Sequence, residues 1–116
     1  MKIWIVDDEP DMCHNLAYIL RRKNFDVHTF NCPLHTLGQI ETAAPEWIIS
    51  DFKMPRMDGK NFFLRIKEKW HGNFVLMTGE LDADIESLKS LGIKEVLFKP
   101  HDLSRILTLV ENSPRE

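Results

Sequence analysis

Strict alternation between short apolar runs and segments of helical period constrains what this chain can fold into more than any other feature. "KIWIV" (2–6), "DVHTF" (26–30), "WIIS" (47–50), "FVLMT" (74–78) and "EVLF" (95–98) read as strands. Pro10 suits a first helical turn, and Met12, Leu16, Ile19 and Leu20 form one apolar stripe behind it. After Pro33, Leu34, Leu37, Ile40 and Ala44 repeat at helical spacing. Asp58 stands as N-cap of a helix carrying Phe62, Phe63, Ile66 and Trp70. Ile85 and Leu88 mark a short helix over 82–90, with Gly92 in its C-terminal turn. Leu103, Ile106, Leu107 and Val110 share a face of the last helix, which has Asp102 near its start. Apolar strands alternating with amphipathic helices predict an α/β fold, a parallel sheet covered on both faces.

The length of 116 residues suits one domain with one core, expected over 1–112, with 113–116 a tail or the start of a linker. The net charge of -3 gives no general attraction to nucleic acid or to an anionic membrane surface. No apolar stretch approaches the roughly 20 residues that span a bilayer. "MKIWIVDDEP" has one lysine and a four-residue apolar run before its acids, which is not a secretory signal. Cys13 and Cys32 are too few for a disulfide framework, and reduced thiols in a cytoplasmic setting are the simpler expectation.

The polar residues worth attention fall at strand ends. Asp7, Asp8 and Glu9 follow the first strand, Asp51 the third, Thr78 ends the fourth, and Lys99-Pro100 follows the fifth. Ligands of open parallel sheets bind beyond the carboxyl ends of the strands, where strand order reverses. If the first and third strands are neighbours there, Asp7, Asp8 and Asp51 share a pocket, with Thr78 and Lys99 beside it. Carboxylates so close repel one another and raise each other's pKa values, which a hard divalent cation relieves. Magnesium takes oxygen ligands and one or two carboxylates while keeping several waters. A lysine supplies a point charge, and a threonine hydroxyl a hydrogen bond, for phosphoryl oxygens. A carboxylate facing metal, ammonium and hydroxyl is a nucleophile toward phosphorus, so Asp51 is expected to be phosphorylated.

These motifs, taken in order, resemble the response-regulator receiver domain of two-component signalling, the CheY-like group. "IVDDEP" is similar to that family's acidic pair, "SDFKMPRMDG" to its phosphoacceptor loop, "MTG" to its hydroxyl position and "FKP" to its lysine–proline. The resemblance implies a flavodoxin-like, doubly wound five-stranded sheet of order 2-1-3-4-5. It implies Asp51 as phosphoacceptor, and magnesium (or manganese) held by Asp8, Asp51 and the backbone carbonyl of Lys53, with Asp7 acting through water. Thr78 and Lys99 would bind the phosphoryl group, and the Lys99–Pro100 bond would be cis. The phosphoryl donor would be a sensor histidine kinase or phosphotransfer protein. The output would be a partner or attached domain, reached through the surface of the fourth helix, fifth strand and fifth helix, with homodimerisation on phosphorylation. Such a domain is a switch that phosphorylates and dephosphorylates itself, not an enzyme of outside substrates. No DNA-reading element lies within these residues.

Some positions depart from the family pattern. The aromatic switch residue expected three positions before the lysine is Val96, and a stiff valine cannot swing a ring. Phe98 has the same strand parity, and core packing is its simpler role; His101 stands where phenylalanine is frequent. Lys53 and Glu80 occupy positions that tune phosphoryl lifetime in the family, either as an ion pair over the pocket or as two solvated side chains. Plain structural roles account for Asp58, Gly59 and Asp102 as caps and turns. They account equally for the "CPLH" at 32–35 as a turn and for Trp4, Trp47 and Trp70 as packing. Two rival functions are a degenerate receiver that binds partners independently of phosphate, and a small aspartyl-nucleophile phosphatase. Lys53 stands where that phosphatase group carries a second aspartate, which weighs against the latter.

Overall fold

The computed structural model describes residues 1–80, 84–99 and 103–112, apart from the side chain of Met12. Expectations for Met12 in its stripe, for residues 82–83, for Pro100 and its peptide bond, for His101, Asp102 and the tail 113–116 lie outside the described residues.

Five strands form: β1 (Lys2–Val6), β2 (Asp26–Phe30), β3 (Trp47–Asp51), β4 (Asn73–Thr78) and β5 (Glu95–Phe98). All pair in parallel, in the order β2-β1-β3-β4-β5. β3 runs one residue further than its apolar pattern indicates, so Asp51 pairs with Met77 inside the sheet. Successive side chains of a strand point to opposite faces, and here both faces are apolar. Ile3, Ile5, Ile49, Val75 and Leu97 pack under α1 (Pro10–Arg22) and α5 (Leu103–Glu111), against Leu16, Leu20, Ile106 and Val110. Trp4, Ile48, Phe74, Leu76 and Val96 pack on the other side. There they meet Ile40 of α2 (Ile40–Ala43), Phe62, Phe63 and Ile66 of α3 (Gly59–Ile66), and Leu88 of α4 (Ile85–Ser90). β2, at one sheet edge, exposes Asp26, His28 and Thr29, and His28 Nε2 lies 3.1 Å from Asp26 Oδ1.

Helix ends follow local chemistry. Asp58 caps α3 by accepting the Asn61 N–H at 2.8 Å, as its position predicted, and Asp84 caps α4 by accepting that of Ser87 at 3.1 Å. The second helix differs from its expected form. A 3₁₀ turn over Pro33–Thr36 and the single turn of α2 replace one continuous helix, with turn residues 37–39 between them. Gly38 falls in that break, where it costs a helix about 1 kcal/mol relative to alanine. Leu34, assigned to the apolar stripe, is accordingly 38% exposed. Trp70 is buried as expected but lies beyond α3, which ends at Ile66, and its Nε1–H donates to the Pro45 carbonyl at 2.7 Å.

Two glycines make opposite demands. Gly92 has φ +114, and a Cβ there would lie 3.2 Å from the Phe63 ring. Gly38 has open space around it. Gly92→Ala is therefore expected to cost about 1–3 kcal/mol in urea unfolding, whereas Gly38→Ala should be neutral or stabilise by up to about 1 kcal/mol. Equal effects at the two positions would contradict this assignment.

Candidate functional site

Because every strand is parallel, the C-terminal ends all open on the same edge of the sheet. Asp7 and Asp8 follow β1, Asp51 ends β3, Thr78 ends β4, and Lys99 follows β5. The sequence reading brought these five residues to neighbouring strand ends, and the structure draws the three carboxylates and the lysine into contact. One carboxylate oxygen from each of Asp7, Asp8 and Asp51 lies within 4.8 Å of the others. Lys99 Nζ stands 3.1 Å from Asp51 Oδ1, 3.3 Å from Asp7 Oδ2 and 3.8 Å from Glu9 Oε1. Asp8, Asp51, Lys53, Thr78 and Lys99 line a cavity of about 480 Å³ above them.

The two adjacent acids occupy different environments. Asp7 is buried and fully engaged: Oδ1 accepts the Glu9 N–H at 2.9 Å while Oδ2 faces Lys99. Its backbone N–H donates to the Phe30 carbonyl at 3.0 Å, and its carbonyl accepts from Cys13 Sγ at 3.7 Å. Asp8 instead opens into the cavity. Thr78 is buried, with Oγ1 accepting the Glu80 N–H at 3.0 Å and its carbonyl accepting the Lys99 N–H at 2.9 Å. That last bond ties the ends of β4 and β5 together beside the site.

Asp51 is 4% exposed. Burial, then the negative charge of Asp7, pushes its carboxyl up to about 6, against the lowering effect of Lys99. Burial alone would lower the Lys99 ammonium, yet the hydrogen bond and charge of Asp51, together with Asp7, hold it above its ordinary value. Burial, reinforced by Asp7, raises the Cys13 thiol to about 11, so it stays protonated. The cluster thus holds more negative charge than one ammonium balances. Its hard oxygen donors fit a divalent cation of the magnesium type.

Gly59 has a role that its turn position did not reveal. A Cβ at this residue would lie 2.4 Å from Leu76 Cδ1 and 2.5 Å from the Asp51 carbonyl oxygen, so only glycine lets α3 start against the end of β3. The Gly59 N–H donates to the Phe52 carbonyl at 2.7 Å and fixes that approach. Among the described residues no ion pair joins Lys53 to Glu80, so the lid considered from sequence does not form, although both line the cavity. Val96 is buried on the α3–α4 side of the sheet, in register with Leu76, whereas Phe98 pairs with Thr78 and is half-buried.

Residues 3–111 match the family model of the response regulator receiver domain. Among curated proteins, the chain is similar to the DNA-binding transcriptional regulator NtrC of Klebsiella pneumoniae, with 30% identity over 113 residues. That similarity covers 95% of this chain and 24% of the relative, so the chain spans about a quarter of its length. A response regulator receiver domain protein from Clostridium thermocellum superposes with a TM-score of 0.86 at 26% identity, covering 96% of this chain and 91% of the other. The BeF3-activated N-terminal receiver domain of Klebsiella pneumoniae RstA shares the fold, with a TM-score of 0.85, 23% identity and 96% of each chain covered.

A carboxyl that binds its proton more tightly folded than unfolded weakens the fold once pH rises past its unfolded value, and most fully above its folded one. Asp51→Asn should therefore stabilise the metal-free protein at pH 7.5 by about 1–3 kcal/mol, the gain shrinking steadily toward pH 4 as the native carboxyl protonates. Urea unfolding across that range checks it. A variant less stable than the parent at pH 7.5 would mean that pairing with Lys99 outweighs burial.

Proposed function

Since the chain belongs to the response regulator receiver domain family, we propose that it is a phosphorylation-dependent switch in which Asp51 accepts a phosphoryl group. The observation that carries this reading is Lys99 Nζ seated 3.1 Å from Asp51 Oδ1, amid three carboxylates whose oxygens converge within 4.8 Å. The donor is a sensor histidine kinase or phosphotransfer protein, and a small acyl phosphate serves in its place. The output is a partner or attached domain read through α4, β5 and α5.

In the reaction a carboxylate oxygen of Asp51 attacks phosphorus. The bond from phosphorus to the donor's nitrogen or oxygen breaks, and the donor leaves with that electron pair. Lys99, already oriented by Asp7 and Asp51, meets the developing charge on the phosphoryl oxygens at little cost in reorganisation. Thr78 lines the same cavity, its hydroxyl able to turn from the Glu80 N–H toward a phosphoryl oxygen. Asp8, Asp51 and the backbone carbonyl of Lys53 would hold magnesium, with Asp7 engaged through water. When bound, that ion would offset the charge of the carboxylates and of the incoming group. Lys53 and Glu80, flanking the cavity separately, act on the attacking water in the reverse reaction. The chain transfers one phosphoryl group to itself and turns over no outside substrate.

Intact mass after incubation with acetyl phosphate tests this. One added phosphoryl group that requires both magnesium and Asp51 is expected, and Asp51→Asn should gain none. If neither acetyl phosphate nor beryllofluoride leaves a mark on the parent, the fold serves phosphate-independent binding instead. In the phosphorylated protein, Lys53→Ala and Glu80→Ala should each change the hydrolysis half-life, by about twofold or more and independently of each other. Equal and non-additive effects would restore the ion-paired lid.

A further inference from the structure

β5 is short and lies at the sheet edge, bonded to β4 alone. It is bounded by charges of opposite sign. At its C-terminal end Lys99 reaches into the carboxylate cluster. At its other end Glu95 reaches two helices: Oε1 lies 2.7 Å from Lys89 Nζ of α4, and Oε2 lies 3.1 Å from Arg105 Nη2 of α5. The Glu95 side chain is only 15% exposed, whereas Lys89 and Arg105 reach it from the solvent side at 44% and 57% exposure, so the carboxylate is the fixed partner on which both cations converge. Burial alone would raise its carboxyl, yet Lys89 and Arg105 together hold it below the usual range. Each oxygen has its own cation, so neither helix can be released by simple rotation of the carboxylate.

We infer that Glu95 is a positioning residue that clamps α4 and α5 to the outer end of β5, so that the two helices move with the strand as one body. α4 is a helix of six residues contributing one buried side chain, Leu88, and α5 contributes Ile106 and Val110. The two helices pack in different clusters, on opposite faces of the sheet. Packing therefore gives them no shared core, and Glu95 is a direct polar connection between them. With Val96 buried between Glu95 and the rest of the strand, a displacement of Lys99 passes along β5 to both helices without a swinging ring. This transmission rests on the phosphorylation reading; the clamp itself does not.

Amide hydrogen exchange decides it, on the unphosphorylated protein without added ligand, for the parent, Glu95→Gln, Lys89→Gln and Arg105→Gln. Glu95→Gln should speed exchange in both 85–91 and 103–111 by about fivefold, with β1 and β3 within about twofold of the parent. Lys89→Gln should affect the first segment only and Arg105→Gln the second only. Exchange unchanged in either helix of Glu95→Gln, or raised equally across the whole sheet, would overturn the clamp. A second arm adds magnesium and beryllofluoride. The parent should respond at Lys99 and in both helices, and Glu95→Gln at Lys99 but in neither helix. Full helix responses in Glu95→Gln would overturn transmission through β5. Silence of the parent would instead count against phosphorylation, leaving the clamp to the ligand-free arm.

Discussion

The contact between Lys99 and the carboxylates of Asp7 and Asp51 is the interaction on which the rest of this structure depends. A buried aspartate is costly, and two near each other more so. One ammonium, brought from the end of an edge strand, makes the arrangement tolerable without neutralising it. The contact also joins parts of the sheet that share no backbone bonds, because β5 pairs only with β4 while Asp7 follows β1 and Asp51 ends β3. Chemistry and architecture therefore use the same atoms. Whatever alters the charge on Asp51 alters how firmly the edge of the sheet is held to its centre.

Close approach rather than charge sets the remaining geometry. The carboxylate of Asp51 emerges where β3 ends and α3 begins, and the two backbones meet there because Gly59 has no side chain. Asp58 then fixes the start of α3 by taking up the Asn61 N–H. Asp7 is held by the Glu9 N–H and by the lysine, which leaves Asp8, of the adjacent pair, open to the cavity. Each carboxylate thus has a distinct task before any ligand arrives. The site is organised in advance, which lowers the reorganisation needed when charge develops.

Much of this was legible in the chain. Unbroken apolar runs such as "WIIS" identify strands buried on both faces, and the acids and lysine at their ends name the site without knowledge of side-chain positions. Four things were not legible. Helix propensity at Leu34 and Leu37 could not show that Gly38 interrupts the second helix, because a single glycine is weak punctuation until packing decides. Gly59 looked like a turn residue because sequence carries no record of which backbones approach each other. Lys53 and Glu80 have opposite charges at suggestive positions, but long solvated side chains gain too little from pairing to be held together. Glu95 drew no notice because its two partners are ten residues away at most and lie on different elements, with no local periodicity to link them.

The thiol of Cys13 carries a practical consequence for chemical modification. It is buried against the Asp7 carbonyl and kept protonated well above neutral pH, whereas Cys32 is partly open at the start of the 3₁₀ turn. Alkylating reagents attack accessible thiolates, so at neutral pH Cys13 is protected by its burial and its raised thiol pKa, while Cys32 is within their reach. A fluorophore or spin label can therefore be attached at one native position, beyond β2 and on the side of the sheet away from β5, without removing any cysteine. The protein comes with its own addressable handle, and the residue beneath the acidic cluster stays silent to the dye.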